Sequence, residues 1–188
     1  MNSYISDSNF VPVVRRLTPR DAPGYRALML QAYALAPQAF TSSVAERAAL
    51  PIGWWKKRLH AGLDTPEVVF GAETAGQLAG VVGLSFDGRE KARHKANLFG
   101  MYVMAGCRQQ GLGGLLVRTA LDFARARAGI QLVQLTVTQS NSGALALYQR
   151  HGFVEFGVEP MAVAVGDGYV AKTHMWCLLD CAHVVSKK

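Results

Sequence analysis

The sequence predicts an α/β fold, one mixed sheet with helices packed around a single core. Three observations carry that expectation. At 188 residues, 50% of them hydrophobic and 18% charged, the chain has room for one core and enough apolar surface to offset the entropy of ordering it. The spacing of its apolar residues switches between the helical and the strand period along the chain. The resulting order is strand, helices, three strands, helix, strand, helix, two strands, a mixture that neither an all-helical nor an all-strand fold accommodates.

Val11 to Leu17 reads as a strand that ends at Thr18-Pro19-Arg20-Asp21. From Ala22 to Ala36, the residues Tyr25, Leu28, Met29, Ala32 and Leu35 recur three and four apart and so share one helical face. Pro37 ends that helix, because the residue before a proline avoids the helical conformation. Residues 37–43 read as a loop, and Val44 to Leu63 as a second helical region carrying Trp54 and Trp55, punctuated by Pro51 and Gly53. Glu67 to Glu73 and Gln77 to Phe86 form a hairpin across Thr74-Ala75-Gly76. The charged connection Asp87 to Lys95 leads to a third strand, Ala96 to Met104. The glycine-rich stretch Gly106 to Gly114 then opens a helix through Ala128, with Leu115, Leu116, Ala120, Leu121 and Ala124 as its apolar face and Gly129 as its stop. Gln131 to Thr138 alternates as a strand, and Ser142 to His151 is a short helix closed by Gly152. Two last strands, Phe153 to Val165 with a break at Pro160 and Lys172 to Leu179, flank the turn Gly166-Asp167-Gly168. Residues 1–188 are expected to form one domain, with the polar residues 1–10 flexible.

Composition narrows the partners. No run approaches the roughly 18 consecutive apolar residues of a membrane span, and Met1 to Phe10 lacks the apolar core of a secretory signal, so the expected location is cytoplasmic with no membrane partner. Cys107, Cys177 and Cys181 are an odd, sparse set that fits reduced thiols. His174, Cys177, Cys181 and His183 suggest zinc, but positions three apart on a strand face opposite ways, so no metal is expected. Twenty Lys and Arg against thirteen Asp and Glu leave a charge of +7, which favours an anionic partner. Arg89, Lys91, Arg93 and Lys95 crowd one connection without interleaved aromatics, which reads as a solvated loop and not as a nucleic-acid surface.

The segment Val103 to Gly114 leaves a strand and enters a helix through several glycines. That context exposes unpaired backbone N–H groups at a helix N-terminus, a cradle for pyrophosphate in which glycine lets the phosphate oxygens reach the amides. The glycines lack the G-x-G-x-x-G spacing of a dinucleotide fold, and no Lys-Ser or Lys-Thr follows them as in a Walker loop. What remains, Arg108-x-x-Gly111-x-Gly113, resembles motif A of the GNAT superfamily of N-acetyltransferases. Asn141-x-x-Ala144-x-x-Leu147-Tyr148-x-x-x-Gly152-Phe153 resembles motif B of the same superfamily at every position of its pattern. The specific part of the resemblance runs from Leu98 to Phe153.

The resemblance implies a GNAT-like, mostly antiparallel sheet of about seven strands whose central strands, Leu98 to Val103 and Leu132 to Thr138, splay apart. It implies acetyl-CoA as co-substrate and transfer of acetyl to a primary amine of a small molecule or peptide by direct attack in a ternary complex. Backbone groups of Met101 and Val103 would face the pantetheine and thioester. Arg108, Gln109, Gln110, Gly111, Leu112, Gly113 and Gly114 would hold the pyrophosphate, with Arg118 or Arg150 nearby, and Asn141 would contact the pantetheine arm. Tyr148 lies on the same helical face as Asn141 and Ala144, and a phenol there can protonate a departing thiolate, which makes it the expected general acid; its other reading is a core tyrosine beside Phe153. No general base is evident: Thr136 stands where relatives that acetylate ribosomal-protein N-termini carry glutamate, and Ala96 to Val103 holds no acid. His94, Glu46, Glu155 and His174 are the remaining candidates, beside a base acting through water or a neutral amine. Gln109 and Ala105 replace a common glycine and proline, yet both keep an N–H donor. Phe40, Trp54 and Trp55 are candidates for an acceptor pocket or for core. A homodimer is compatible with this reading, and a catalytically silent acyl-CoA-binding sensor or assembly domain is the alternative.

Overall fold

The computed structural model describes residues 12–62 and 64–179, so the expectation placed on residues 1–10 and two of the four proposed zinc positions, Cys181 and His183, fall outside the described residues. Seven strands form one sheet in the order β1-β2-β3-β4-β5-β7-β6. They are β1 (Val13–Arg16), β2 (Glu67–Thr74), β3 (Gln77–Phe86), β4 (Lys95–Val103), β5 (Leu132–Thr138), β6 (Val154–Val165) and β7 (Gly168–Leu178). Every neighbouring pair is antiparallel except β4 and β5.

Helix α1 (Ala22–Leu35) buries Tyr25, Leu28, Met29 and Ala32 as their spacing predicts, whereas Leu35, the fifth residue expected on that face, is exposed at the helix end. The second helical region is two pieces, α2 (Val44–Ala48) and α3 (Ile52–Lys57), because Pro51 caps α3 and cannot continue α2. A reciprocal pair between Ser43 and Glu46 caps α2: the Ser43 amide donates to Glu46 Oε2 at 2.8 Å and the Glu46 amide to Ser43 Oγ at 3.2 Å. Helix α4 (Leu112–Ala126) buries Leu112, Leu116, Val117, Ala120, Leu121 and Ala124 on one side of the sheet, next to the short helix α5 (Ser142–Arg150). The sheet therefore separates two clusters, one beneath α4 and one beneath α1 and α3. Among the described residues no helix is long and apolar enough to cross a membrane.

The β2–β3 hairpin turns through Ala75 and Gly76, both at positive φ, one residue tighter than the Thr74-Ala75-Gly76 connection expected from sequence, because Thr74 still pairs with Gln77. The last hairpin differs from expectation: β7 starts at Gly168 and not at Lys172, so the two final strands pair almost to their turn, with the ladder interrupted between Glu159 and Val163 where Met161 sits at φ 52°.

One close approach ties the fold to the site. Gly83 on β3 lies opposite Phe99 on β4, and a Cβ on Gly83 would stand 2.4 Å from Phe99 Cζ. The Phe99 ring fills the space that a side chain would need and in turn meets the Arg58 guanidinium carbon at 4.7 Å. Replacing Gly83 with Ala is expected to cost about 2 kcal/mol through overpacking. In a domain of this size that lowers Tm by about 4–8 °C in a thermal melt, and an unchanged Tm would show that the ring is free to yield.

Candidate functional site

The site begins where two central strands stop pairing. β4 and β5 share a parallel ladder only from Lys95, Ala96 and Asn97 to Leu132, Val133 and Gln134. Beyond it β4 bulges: between the pairs Gly83–Phe99 and Val81–Tyr102 it uses one residue more than β3 does, and Gly100 takes φ 62°. From Leu98 onward the β4 edge that faces β5 has no ladder partner, and the strands open into a cleft of about 890 Å³. Thr136, Val137 and Thr138 line its other wall.

The glycine loop closes one end of the cleft. Gly111, at φ 81°, caps α4, and the first helical bond is Leu115 N–H to the Gly111 carbonyl at 3.0 Å. The N–H groups of Gln109 to Gly114 have no acceptor among the described residues, and they sit at the positive end of the α4 dipole. Gln109 adopts φ 62°, a left-handed conformation uncommon for a residue with a side chain, so the loop keeps the path a glycine would give it. Close packing favours glycine at two of these positions as well as phosphate approach. A Cβ on Gly113 would lie 3.2 Å from Leu147 Cδ2, and one on Gly114 3.3 Å from His151 Nε2, so α4 and α5 pack this closely only without side chains there.

Arg108 acts on the loop itself. Its Nε donates to the Val103 carbonyl at 3.0 Å and its guanidinium carbon lies 5.9 Å from the Tyr102 ring, which fastens the loop to the end of β4. The Gln110 side-chain amide donates to the Gly106 carbonyl at 3.2 Å. Of the site residues expected from sequence, all line the cleft except Gln110 and Leu112, the latter being a core side chain 2% exposed.

Asn141 caps α5, its Oδ1 accepting from the Ala144 amide at 3.1 Å. That bond fixes the side chain and leaves its NH₂ group toward the cleft without a protein partner among the described residues. Tyr148, on the same helix, is 5% exposed and packs edge-on to Phe153 at 5.7 Å. It thus has the packing of a core tyrosine, yet it also lines the cleft, and its hydroxyl makes no hydrogen bond to a described residue. Burial pushes its pKa above the ordinary phenol value.

Among the described residues no Asp, Glu or His lines this cleft. Glu46 is engaged in the α2 cap, His174 Nε2 lies 3.1 Å from Glu159 Oε2, Glu155 faces Met175 in the β6–β7 ladder, and His94 precedes β4 at the end where the ladder with β5 is closed. Thr136 does line the cleft, opposite His174 in the β5–β7 ladder. The residue that sequence reasoning missed is Lys172, paired with Thr138, 8% exposed and lining the cleft, with its pKa lowered by burial and partly restored by Glu159. A lysine at the expected start of a strand carries no signal of such burial.

A second cavity of about 260 Å³ adjoins the first, sharing Phe40, Thr41, Phe99 and Gly100. Trp55, 1% exposed, is both core and wall, while Trp54 packs edge-on against it at 5.1 Å. Arg47, Arg58, Tyr25 and Tyr33 complete this cavity and were not evident from the sequence.

Residues 29–153, more than half of the chain, match the family model described as "Acetyltransferase (GNAT) family". An acetyltransferase of the GNAT family from Streptococcus pneumoniae superposes with a TM-score of 0.79 at 27% identity, covering 90% of this chain and 99% of that one. The yncA protein of Salmonella typhimurium, solved with its cofactor acetyl-CoA, shares the fold at a TM-score of 0.74 and 19% identity over 94% of this chain and 98% of that one. N-acetyltransferase 8 of Rattus norvegicus is 38% identical over 87 residues, 46% of this chain and 39% of the rat protein, so the match spans well under two thirds of that relative. With the splayed β4 and β5, the open loop amides and this family match together, the chain belongs to the GNAT acetyltransferase family.

Proposed function

We propose that the chain is an N-acetyltransferase that moves acetyl from acetyl-CoA to a primary amine of a small molecule or peptide, in the cytoplasm. The observation that carries this reading is the continuity of three features: free amides at Gln109 to Gly114, an unpaired β4 edge from Leu98, and a second cavity that meets the cleft at Gly100. An extended thioester with a diphosphate at one end fits such a path, whereas a nucleotide bound at a lone glycine loop has no use for the gap between strands.

Acetyl-CoA brings its acyl group as a thioester, whose carbonyl carbon takes the amine lone pair as the C–S bond breaks. In this reading the amides of Gln109 to Gly114 hold the pyrophosphate at the α4 N-terminus. Arg118 and Arg150, both close enough to His151 to lower its pKa together with burial, add positive field beside that loop. The free NH₂ of Asn141 donates to the pantetheine arm. Backbone groups of Met101 and Val103 face the pantetheine and the thioester, and an N–H on that edge is aimed at the carbonyl oxygen, where developing negative charge is stabilised in the dry cleft. Tyr148 gives a proton to the departing sulfur; with its pKa raised by burial, it keeps that proton until charge builds on the thiolate. With no carboxylate or imidazole from the described residues on the cleft wall, the acceptor enters as the neutral amine, and after attack its nitrogen loses a proton to solvent, which in turn restores the Tyr148 phenol.

The proposed assembly is a homodimer through β6. This strand is an edge of the sheet, and Val154, Phe156 and Val158 along it are each more than half exposed.

Thiol release with acetyl-CoA and a panel of amines and peptides tests the activity. Turnover is expected, and tight acetyl-CoA binding without turnover on a wide panel would favour a silent acyl-CoA-binding domain. Tyr148→Phe is expected to lower kcat about a hundredfold while leaving the Kd for acetyl-CoA nearly unchanged; an unaltered kcat removes Tyr148 as the acid. The pH profile separates the two sources of the amine's lone pair. Since no acid or His lines the cleft, kcat/KM should rise with pH along the free-amine fraction of each acceptor and move with that acceptor's own pKa. The raised Tyr148 pKa keeps a falling limb above the ordinary phenol range. An inflection near neutral pH that is the same for all acceptors would reveal a protein base. Sedimentation equilibrium should give twice the 20.3 kDa chain mass and a monomer for Phe156→Asp; a monomeric wild-type protein at high concentration rules the dimer out.

A further inference from the structure

The smaller cavity carries a charge that the proposed reaction does not use. Two guanidiniums line it, Arg47 from α2 and Arg58 following α3, with one carboxylate, Glu67, at the start of β2. Arg58 is compensated: its Nε lies 3.1 Å from Glu67 Oε2. Arg47 is not. It makes no ion pair or side-chain hydrogen bond with any described residue, its Nε is shut away from solvent with no acceptor, and its guanidinium carbon lies 4.8 Å from the Trp54 ring.

The other ionisable groups on these walls do not supply the missing anion. Burial raises the Tyr25 phenol to about 12 and lifts the Tyr33 phenol as well, so both stay neutral. Among the described residues the cavity therefore holds two positive charges against one negative, and the half-buried Arg47 guanidinium, with its Nε shut away from solvent, lacks a counter-ion there. Tyr25, Tyr33, Phe40, Trp55 and Phe99 put aromatic rings on the wall, beside Met29, Gly100 and the hydroxyls of Thr41, Ser42 and Ser85. Aromatic walls alone would suit a cationic head group, but two guanidiniums in the same space repel one. An apolar body with an acidic group satisfies both the rings and Arg47. The cavity meets the cleft at Gly100, on the β4 edge that the proposed mechanism gives to the thioester.

We propose that the acceptor is an amine bearing its own carboxylate, of the free α-amino-acid type, with the carboxylate on Arg47, the apolar side chain against Tyr33, Phe40 and Phe99, and the amine toward Gly100. This deepens the acetyltransferase reading and rests on it for the fate of the amine, but the carboxylate site is testable without transfer. The size of the cavity, about 260 Å³, suits a single amino acid better than a peptide.

The test uses matched pairs that differ only in the carboxylate: L-phenylalanine against phenethylamine, and L-leucine against isoamylamine. Values of kcat/KM from thiol release, corrected for the free-amine fraction of each compound, should favour the amino acid by about tenfold or more. Arg47→Gln should cut that ratio on the order of tenfold, and Arg47→Lys should restore part of it. A variant that merely loosens the fold slows both members and leaves the ratio intact, as would a purely structural Arg47. In parallel, L-phenylalanine binding is followed by the emission of Trp54 and Trp55 without acetyl-CoA, and should weaken in Arg47→Gln. Equal rates within the pairs, or a ratio unmoved by Arg47→Gln, overturn the inference while leaving the acetyltransferase reading in place. Arg47-dependent binding of the amino acid with no acetyl transfer to either member does the reverse.

Discussion

The parallel ladder between β4 and β5 ends after three residue pairs, and nearly everything functional depends on that ending. A sheet that stayed paired from Lys95 to Val103 would consume the backbone groups that a ligand needs and leave no gap. The bulge at Gly100 is what turns β4 away, and β4 can bulge because β3 accepts the mismatch through Gly83, over which the Phe99 ring lies. The same ring closes the smaller cavity and stacks near Arg58. One glycine facing one phenylalanine thus connects sheet curvature, the open strand edge and the acceptor side. Such coupling places Gly83 among the constraints on the site although it lines neither cavity.

The net charge of +7 acquires locations. Some of it surrounds the glycine loop, where Arg118 and Arg150 act on His151. Some sits at Arg47 and Arg58 on the opposite side of the sheet, against the α1 and α3 cluster. Arg108 sits on the loop, but its Nε is committed to the Val103 carbonyl, so part of its role is to hold the loop's path. The remaining charge includes the exposed connection at Arg89, Lys91 and Arg93, where Arg89 pairs with Asp87. Part of the positive charge is thus gathered at two local sites that differ in kind: backbone amides dominate at the loop, guanidiniums and aromatic rings at the smaller cavity.

The parts that were legible in the sequence are those in which a residue acts on its own neighbourhood. Gly129 follows the end of α4 and Gly152 closes α5 because positive φ is a local requirement, although α4 itself runs from Leu112 to Ala126 and so begins inside the glycine stretch and stops short of Ala128. The alternation of β5 and the helical period of α4 and α1 reflect a single buried face each. The start of β7 was misplaced because Gly168 to Val170 are exposed or half-buried on both faces, so no alternation distinguishes them from a loop. The division of the second helical region turns on a single proline within a polar, exposed stretch. The smaller cavity was illegible for a different reason: Tyr25, Arg47, Arg58, Glu67 and Phe99 come from five separate elements and connections, and only the tertiary fold brings them together.

The lack of a carboxylate in the larger cleft bears on how such a site works at neutral pH. A general base is required only when the amine arrives protonated, and a pocket that carries excess positive charge already discourages the ammonium form. Lys172, buried beside Thr138 and lining the cleft, adds to that field. The field that holds an acid group thus also lowers the cost of deprotonating the amine attached to it. Glu67 contributes little in the opposite sense, because Arg58 engages it. In the proposed reaction Thr136 in place of a glutamate and the charge of Arg47 would form one electrostatic solution, in which proton removal would fall to the solvent and the field, and only proton delivery, through Tyr148, to a side chain.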